Sequence, residues 1–194
     1  GVIGVPIQIN DLVKNLPNLV SDLKGNNFQN AAEAILTTDL VVKKITIETL
    51  IEGKRIIISG FAKGSGMIYP NMATTLGFVF TDANLSSSIL KVVLNDNIKT
   101  TFNAISCDGD TSTNDMVSLF STNKAKNPII KKTNDPRLKS FNKAVHEVLL
   151  NLAKQVAFDG EGSSKFITIN SVKCKSDKDA KNISFSIANS LLVK

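Results

Sequence analysis

Residues 41–82, VVKKITIETLIEGKRIIISGFAKGSGMIYPNMATTLGFVFTD, decide how this chain is built. Val41 to Leu50 and Arg55 to Phe61, the second carrying Ile56-Ile57-Ile58, read as two β-branched strands meeting at a Glu52-Gly53 turn. The resulting hairpin delivers the chain to Lys63. Leu76 to Phe80 resumes as a third strand, which puts Thr74 at a strand's start, a rigid place for a reactive side chain.

Between the second and third strands, Lys63-Gly64-Ser65-Gly66 leads through Pro70 into Ala73-Thr74-Thr75. This junction has the form of a self-cleaving precursor with a threonine nucleophile. Thr74 would attack the Ala73 carbonyl and pass through an ester; hydrolysis would then leave Thr74 as a new N-terminal residue, its free amine beside its own hydroxyl. A hydroxyl alone is a poor nucleophile, and an adjacent amine is one of the few ways to activate it. Small Ala73 leaves room for the attack. Taken by itself, an Ala-Thr pair also suits an ordinary loop entering a strand.

Outward from this stretch, helices and strands mix without regular βαβ alternation, which argues for a layered α+β fold rather than a doubly wound sheet. Asn10 is placed to cap a helix through Asp11-Leu12-Val13 that Pro17 limits or kinks, and Asn26 or Asn27 opens another through Ala31 to Leu36. Ser86-Ser87-Ser88 caps a helix carrying Ile89, Val92, Val93 and Ile98 at helical spacing. Phe102 to Cys107 and Met116 to Phe120 are short strand candidates. Asp135-Pro136 starts a long helix striped by Leu138, Phe141, Val145, Val148, Leu149, Leu152 and Val156. Glu161 falls just past its end in a glycine-rich turn. Lys165 to Lys173 alternates as a strand, and a last helix carries Ile183, Ile187 and Leu191 to the chain end. There is no internal repeat.

Composition narrows the function classes. With 194 residues and 42% apolar content the chain can bury a core and reads as globular. The 23 basic and 17 acidic residues give a net charge of +6, but the lysines are scattered, and one Tyr with no Trp leaves nothing to interleave as a base-stacking platform. The expectation is no nucleic-acid partner and a mildly positive field for small anions. Cys107 and Cys174 are too few for a disulfide framework, and no Cys-x-x-Cys or His partner points to a metal. No run approaches the roughly 20 apolar residues that cross a membrane. A reducing, cytoplasmic location is the simplest expectation, with an organellar targeting peptide ahead of Gly1 left open.

Five segments in order carry a resemblance. They are Gly1-Val2-Ile3-Gly4; Ala31-Ala32-Glu33-Ala34-Ile35-Leu36-Thr37-Thr38-Asp39; Lys63 to Thr74; Asp108-Gly109-Asp110-Thr111-Ser112-Thr113-Asn114-Asp115; and Asp159-Gly160-Glu161-Gly162 running to Lys165-Phe166. Together they resemble the glutamate/ornithine N-acetyltransferases of arginine biosynthesis, which cleave themselves before a Thr and then carry acetyl on it. The resemblance implies an α+β, layered sheet-and-helix sandwich, incomplete here at both ends. Residues 1–194 would be one catalytic-core region, divided between Ala73 and Thr74 into the end of an α chain (1–73) and the start of a β chain (74–194).

The same resemblance implies roles for individual residues. Thr74 would be the acyl carrier. Gly1 would give an oxyanion-hole N–H, the family's preceding Thr having no counterpart in this sequence. Thr37, with Thr38 as the near alternative, Lys63 and Glu161 would contact substrate: Lys63 the carboxylate, Glu161 the α-ammonium. The substrates would be N-acetylornithine and glutamate, with no metal or organic cofactor and acetyl-CoA as an alternative acetyl donor. The implied assembly is a heterotetramer of two α and two β fragments. Family members are roughly twice this length, and their C-terminal Asn and Ser/Thr contacts have no counterpart before Lys194, so the chain reads as an internal fragment.

Two readings compete. Asp108-x-Asp110-Thr111 after a strand also opens haloacid-dehalogenase phosphatases, in which the first Asp is a nucleophile beside Mg²⁺; that reading leaves Lys63 to Thr74 unexplained. The other is an inactive truncated domain. His146, the only histidine, falls mid-helix and reads as a packing residue.

Overall fold

The computed structural model describes residues 4–69, 75–110, 112 and 115–193. Two helices come first, α1 (Ile9–Ser21) and α2 (Phe28–Ala34), followed by strands β1 (Lys43–Ile51), β2 (Lys54–Lys63) and β3 (Leu76–Thr81). Helix α3 (Ser87–Ile98) crosses over to β4 (Met116–Ser121), and α4 (Lys139–Phe158) and α5 (Asp177–Ala188) complete the order. The strands form one sheet in the order β1-β2-β3-β4, antiparallel except for the β3–β4 pair, which is parallel. This is the expected α+β arrangement.

The hairpin forms because Glu52 and Gly53 both adopt positive φ, 47° and 74°, so a two-residue turn matches the twist of the flanking strands. The turn fixes the register Ile47↔Ile58 and Thr49↔Ile56. On β2 the even-numbered side chains Ile56, Ile58 and Ala62 are buried against α4, whose Phe141, Val145, Val148, Leu149, Leu152 and Val156 form the facing stripe. Gly60 lies in the same row. A Cβ there would meet Leu152 Cδ1 at 3.0 Å and the Phe78 carbonyl at 3.2 Å, so only glycine lets α4 approach this closely. The opposite face carries aromatic contacts linking Phe61 to Phe28 of α2 and to Phe78 and Phe80 of β3.

Several expected elements differ in detail. Phe102 to Cys107 is not a strand: Phe102–Ala104 is a 3₁₀ turn. Thr101, fully buried, donates its hydroxyl to the Asn97 carbonyl while Ala104 N–H returns to Thr101, winding the chain up after α3. Lys165 to Lys173 forms no strand either. Its apolar residues Phe166, Ile167 and Val172 face solvent, and alternation without a neighbouring ladder leaves backbone groups to water.

Helix α1 continues past Pro17 and starts one residue before Asn10, behind Gln8. None of its residues is buried. Helix α5 starts at the Ser176 cap, whose side chain accepts from Asp179 N, and ends before Leu191. At the start of α4, Asp135 accepts from Arg137 N and from its guanidinium, which holds the Asp135 carboxyl at about 2.

Candidate functional site

Three chain segments converge beyond the Lys63 end of β2: the loop after α2 (35–42), the loop that continues β2 (64–69) and the turn after α4 (159–163). They are joined by a buried ion cluster. Lys43, fully buried at the first position of β1, donates to Asp39 Oδ1 at 2.6 Å, Asp159 Oδ2 at 2.5 Å and the Val41 carbonyl at 3.2 Å, so all three ammonium protons are used. Both carboxylates also take backbone N–H groups. Asp39 accepts from Gly64 at 2.7 Å and Thr37 at 3.2 Å, and Asp159 from Leu40 at 3.0 Å and Val41 at 3.4 Å. Burial pushes the Asp39 carboxyl up, but the Lys43 hydrogen bond, the Gly64 and Thr37 N–H groups and the Lys43 charge outweigh it and hold the group below the ordinary aspartate range.

On this frame lie the side chains expected to meet substrate. Lys63, 9% exposed, points its ammonium to Thr37 Oγ1 at 3.4 Å. Thr38 donates to Glu161 Oε1 at 2.6 Å and lies 2.6 Å from Ser65 Oγ; with the Thr38 proton committed to the carboxylate, Ser65 is the donor to Thr38. Glu161 N–H donates to the Ser65 carbonyl at 2.7 Å, so the turn and the loop grip each other through backbone as well. Glu161 is exposed but held. The structure thus pairs Thr37 with Lys63 and Thr38 with Glu161.

A cation with a hydroxyl and a carboxylate with two hydroxyls are complementary to the two charged ends of an amino acid. Gly66 fits into the same arrangement. An added Cβ would come within 3.0 Å of Glu161 Cδ and Oε2. Because the obstacle is the mobile end of a side chain, Gly66→Ala should lower stability by less than about 1 kcal/mol yet displace the Glu161 carboxylate. Thermal melting of the variant checks the first half, with a near-normal midpoint expected.

Asp115 was not singled out from the sequence, although it closes the 108–115 segment. Its Oδ1 accepts from Thr75 N at 2.6 Å, while Oδ2 is buried with no hydrogen-bond partner among the described residues. Burial pushes its carboxyl above the ordinary range, against the Thr75 N–H and the Lys63 charge. Asp115 therefore anchors the residue that follows Thr74. Gly1, Ala73 and Thr74 lie outside the described residues.

Asp108 has a different job from the one the phosphatase alternative gives it. Its carboxylate accepts from the backbone N–H groups of Met67, Ile68 and Asp110, the last two at 2.9 and 3.1 Å, while Cys107 N–H donates to the Ile68 carbonyl at 2.8 Å. It pins the loop that carries Ser65 and Gly66. No strand ends at Asp108 to present a nucleophile: a 3₁₀ turn precedes it and β4 begins only at Met116. His146 lies on α4 with Nε2 3.2 Å from Thr100 Oγ1, a hydrogen bond from the helix to the turn that follows α3.

Among the described residues no helix is long and apolar enough to cross a membrane. The model of the ArgJ family matches residues 1–194. The chain is similar to the arginine biosynthesis bifunctional protein ArgJ of Prochlorococcus marinus subsp. pastoris, with 51% identity over 194 residues, 100% of this chain and 46% of that protein. It is similar to proteins of the same name from Bradyrhizobium diazoefficiens, 44% identical over 100% of this chain and 48% of that protein, and Bacillus cereus, 42% over 100% and 47%. The chain therefore spans about half the length of the curated relatives it matches. Among solved structures, the arginine biosynthesis bifunctional protein argJ of Bacillus halodurans is similar at a TM-score of 0.57 and 39% identity, covering 60% of this chain and 55% of that one.

Proposed function

Because this chain belongs to the ArgJ family, we propose that the whole protein transfers acetyl from N-acetylornithine to glutamate through an acetyl-Thr74 intermediate. The observation that carries the reading is the meeting of Thr37 with Lys63, at the end of β2, and of Thr38 with Glu161 at one end of the sheet, where Asp115 also holds Thr75.

Thr74 is first released by cleavage at Ala73-Thr74: its hydroxyl attacks the Ala73 carbonyl, and water hydrolyses the resulting ester. In turnover the Thr74 hydroxyl attacks the amide carbonyl of N-acetylornithine, and its own α-amine takes the hydroxyl proton and passes it to the departing ornithine nitrogen. The glutamate amine then attacks the acetyl ester in the reverse sense. Gly1 N–H contributes to holding the oxyanion, a donor worth about 3 to 4 kcal/mol where such groups are removed. Lys63 binds the substrate carboxylate, and Glu161 binds the α-ammonium of the free amino acid that enters or leaves, the α-nitrogen of N-acetylornithine itself being an amide.

No metal or organic cofactor enters this exchange, and acetyl-CoA is an alternative donor to the same hydroxyl. The cleaved fragments stay together, and two of each form the working assembly in the cytoplasm.

The test is to incubate the mature full-length protein with N-acetylornithine and no acceptor. One acetyl mass on the peptide that begins at Thr74 is expected, together with ping-pong kinetics. Acetyl found elsewhere, or on no peptide, overturns the intermediate.

Glu161→Gln should weaken amino-acid binding by about 2 to 5 kcal/mol, the cost of leaving a bound ammonium without its charged partner. Cleavage at Ala73-Thr74 should proceed normally in that variant, since no ammonium is recognised in that step. Loss of cleavage with transfer intact would make Glu161 a structural residue of its turn.

A further inference from the structure

Every residue read as an amino-acid contact lies within two positions of the buried ion cluster or of a backbone N–H that donates to it. Thr37 is two residues before Asp39 and gives it a backbone N–H; Lys63 is followed by Gly64, which also donates to Asp39; Glu161 is two residues after Asp159. Lys43 joins the two carboxylates, and through them three segments far apart in sequence. We propose that the Asp39-Lys43-Asp159 cluster is the positioning element of the amino-acid site, fixing Thr37, Lys63 and Glu161 relative to one another.

A role in bulk stability accounts for the cluster less well. Buried ion pairs are commonly no better for stability than well-packed apolar residues of the same volume, because desolvating the charges offsets their attraction. What ions with directional partners supply, and apolar side chains cannot, is a unique geometry. Here seven hydrogen bonds converge on two carboxylates and one ammonium, four of them from the backbone of the very loops that carry the contacts. Displacing a positioned group by about 1 Å costs turnover or binding heavily even when the fold survives.

The proposal rests on the reading of Thr37, Lys63 and Glu161 as substrate contacts, and its test separates the two. In the full-length protein, Asp159→Asn keeps a carbonyl oxygen for the Leu40 and Val41 N–H groups but removes the charge facing Lys43. The expected result is a KM for glutamate raised about tenfold or more, kcat held within about threefold and cleavage at Ala73-Thr74 retained. In a Glu161→Gln background the same substitution should raise KM much less, since the contact it positions is already lost.

An unchanged KM, or the same factor in both backgrounds, overturns the positioning role. A purely structural defect would lower the folded fraction and apparent kcat without that coupling. If Asp159→Asn is insoluble, the neutral triple variant Lys43→Met/Asp39→Asn/Asp159→Asn, which buries no charge, is measured against the same KM criterion. Wild-type protein without acetyl exchange would instead overturn the proposed function and this proposal with it.

Discussion

Thr74→Ala in the full-length protein is expected to abolish both cleavage at Ala73-Thr74 and acetyl exchange. In the proposed mechanism one hydroxyl serves both reactions: it attacks the Ala73 carbonyl in the first and the acetyl carbonyl in the second. Removing a nucleophile of this kind lowers turnover on the order of a millionfold, so denaturing mass spectrometry should return a single uncleaved chain and exchange should fall to background. Thr74→Ser keeps the hydroxyl and should keep part of the cleavage. Retained exchange in Thr74→Ala would sink the acyl-carrier assignment. Retained exchange with absent cleavage would show that the free amine is dispensable too. The variant is well suited to the question because the next residue is held independently of it: Asp115 accepts from Thr75 N–H, and Met116 N–H donates to the Thr75 carbonyl.

How far the sequence was readable follows from the range of the interactions involved. The β1–β2 hairpin, β3, β4 and the long helix α4 were legible because period-2 and period-3.6 patterning and the Glu52-Gly53 and Asp135-Pro136 signals are local. Phe102 to Cys107 and Lys165 to Lys173 misread because alternation says nothing about whether a partner ladder exists; the first is wound up by Thr101 and Asn97 and the second has no strand beside it among the described residues. Residue types for the site came from the motif resemblance, which pointed to Thr37, Lys63 and Glu161 but gave no geometry.

What lay beyond reach was long-range pairing. Asp39 and Asp159 sit inside the matched segments and Asp115 closes another, yet nothing in spacing says that Lys43, beside Asp39, reaches Asp159 across 116 residues, or that Asp115 holds Thr75. Ser65 was visible only as part of a glycine-rich loop, and its hydroxyl gains meaning from Thr38, 27 residues earlier.

Lys43→Met should be the most damaging substitution outside the reacting residues, lowering stability by about 3 to 5 kcal/mol because two buried carboxylates lose their shared cation. The ammonium is wholly enclosed, and the Asp39 and Asp159 side chains are 0% and 5% exposed, so water cannot replace it. The pH dependence gives the mechanism a signature. In the wild type the lowered Asp39 pKa contributes stability that is present above the unfolded value of about 3.9 and is lost as pH falls through the lower folded value. Without Lys43 its hydrogen bond and charge no longer hold Asp39 down, so the carboxyl titrates higher than in the wild type and the folded variant takes up its proton first as pH falls. Its deficit against wild type should therefore be largest at neutral pH and shrink toward about pH 4. Adding Asp39→Asn and Asp159→Asn should recover most of the loss, since each amide oxygen still accepts backbone N–H groups while no charge remains to be desolvated. Denaturation midpoints of the three proteins across pH decide the matter. A deficit independent of pH, or a triple variant no more stable than Lys43→Met, would mean that packing of the lysine stem, rather than its charge, holds these loops together.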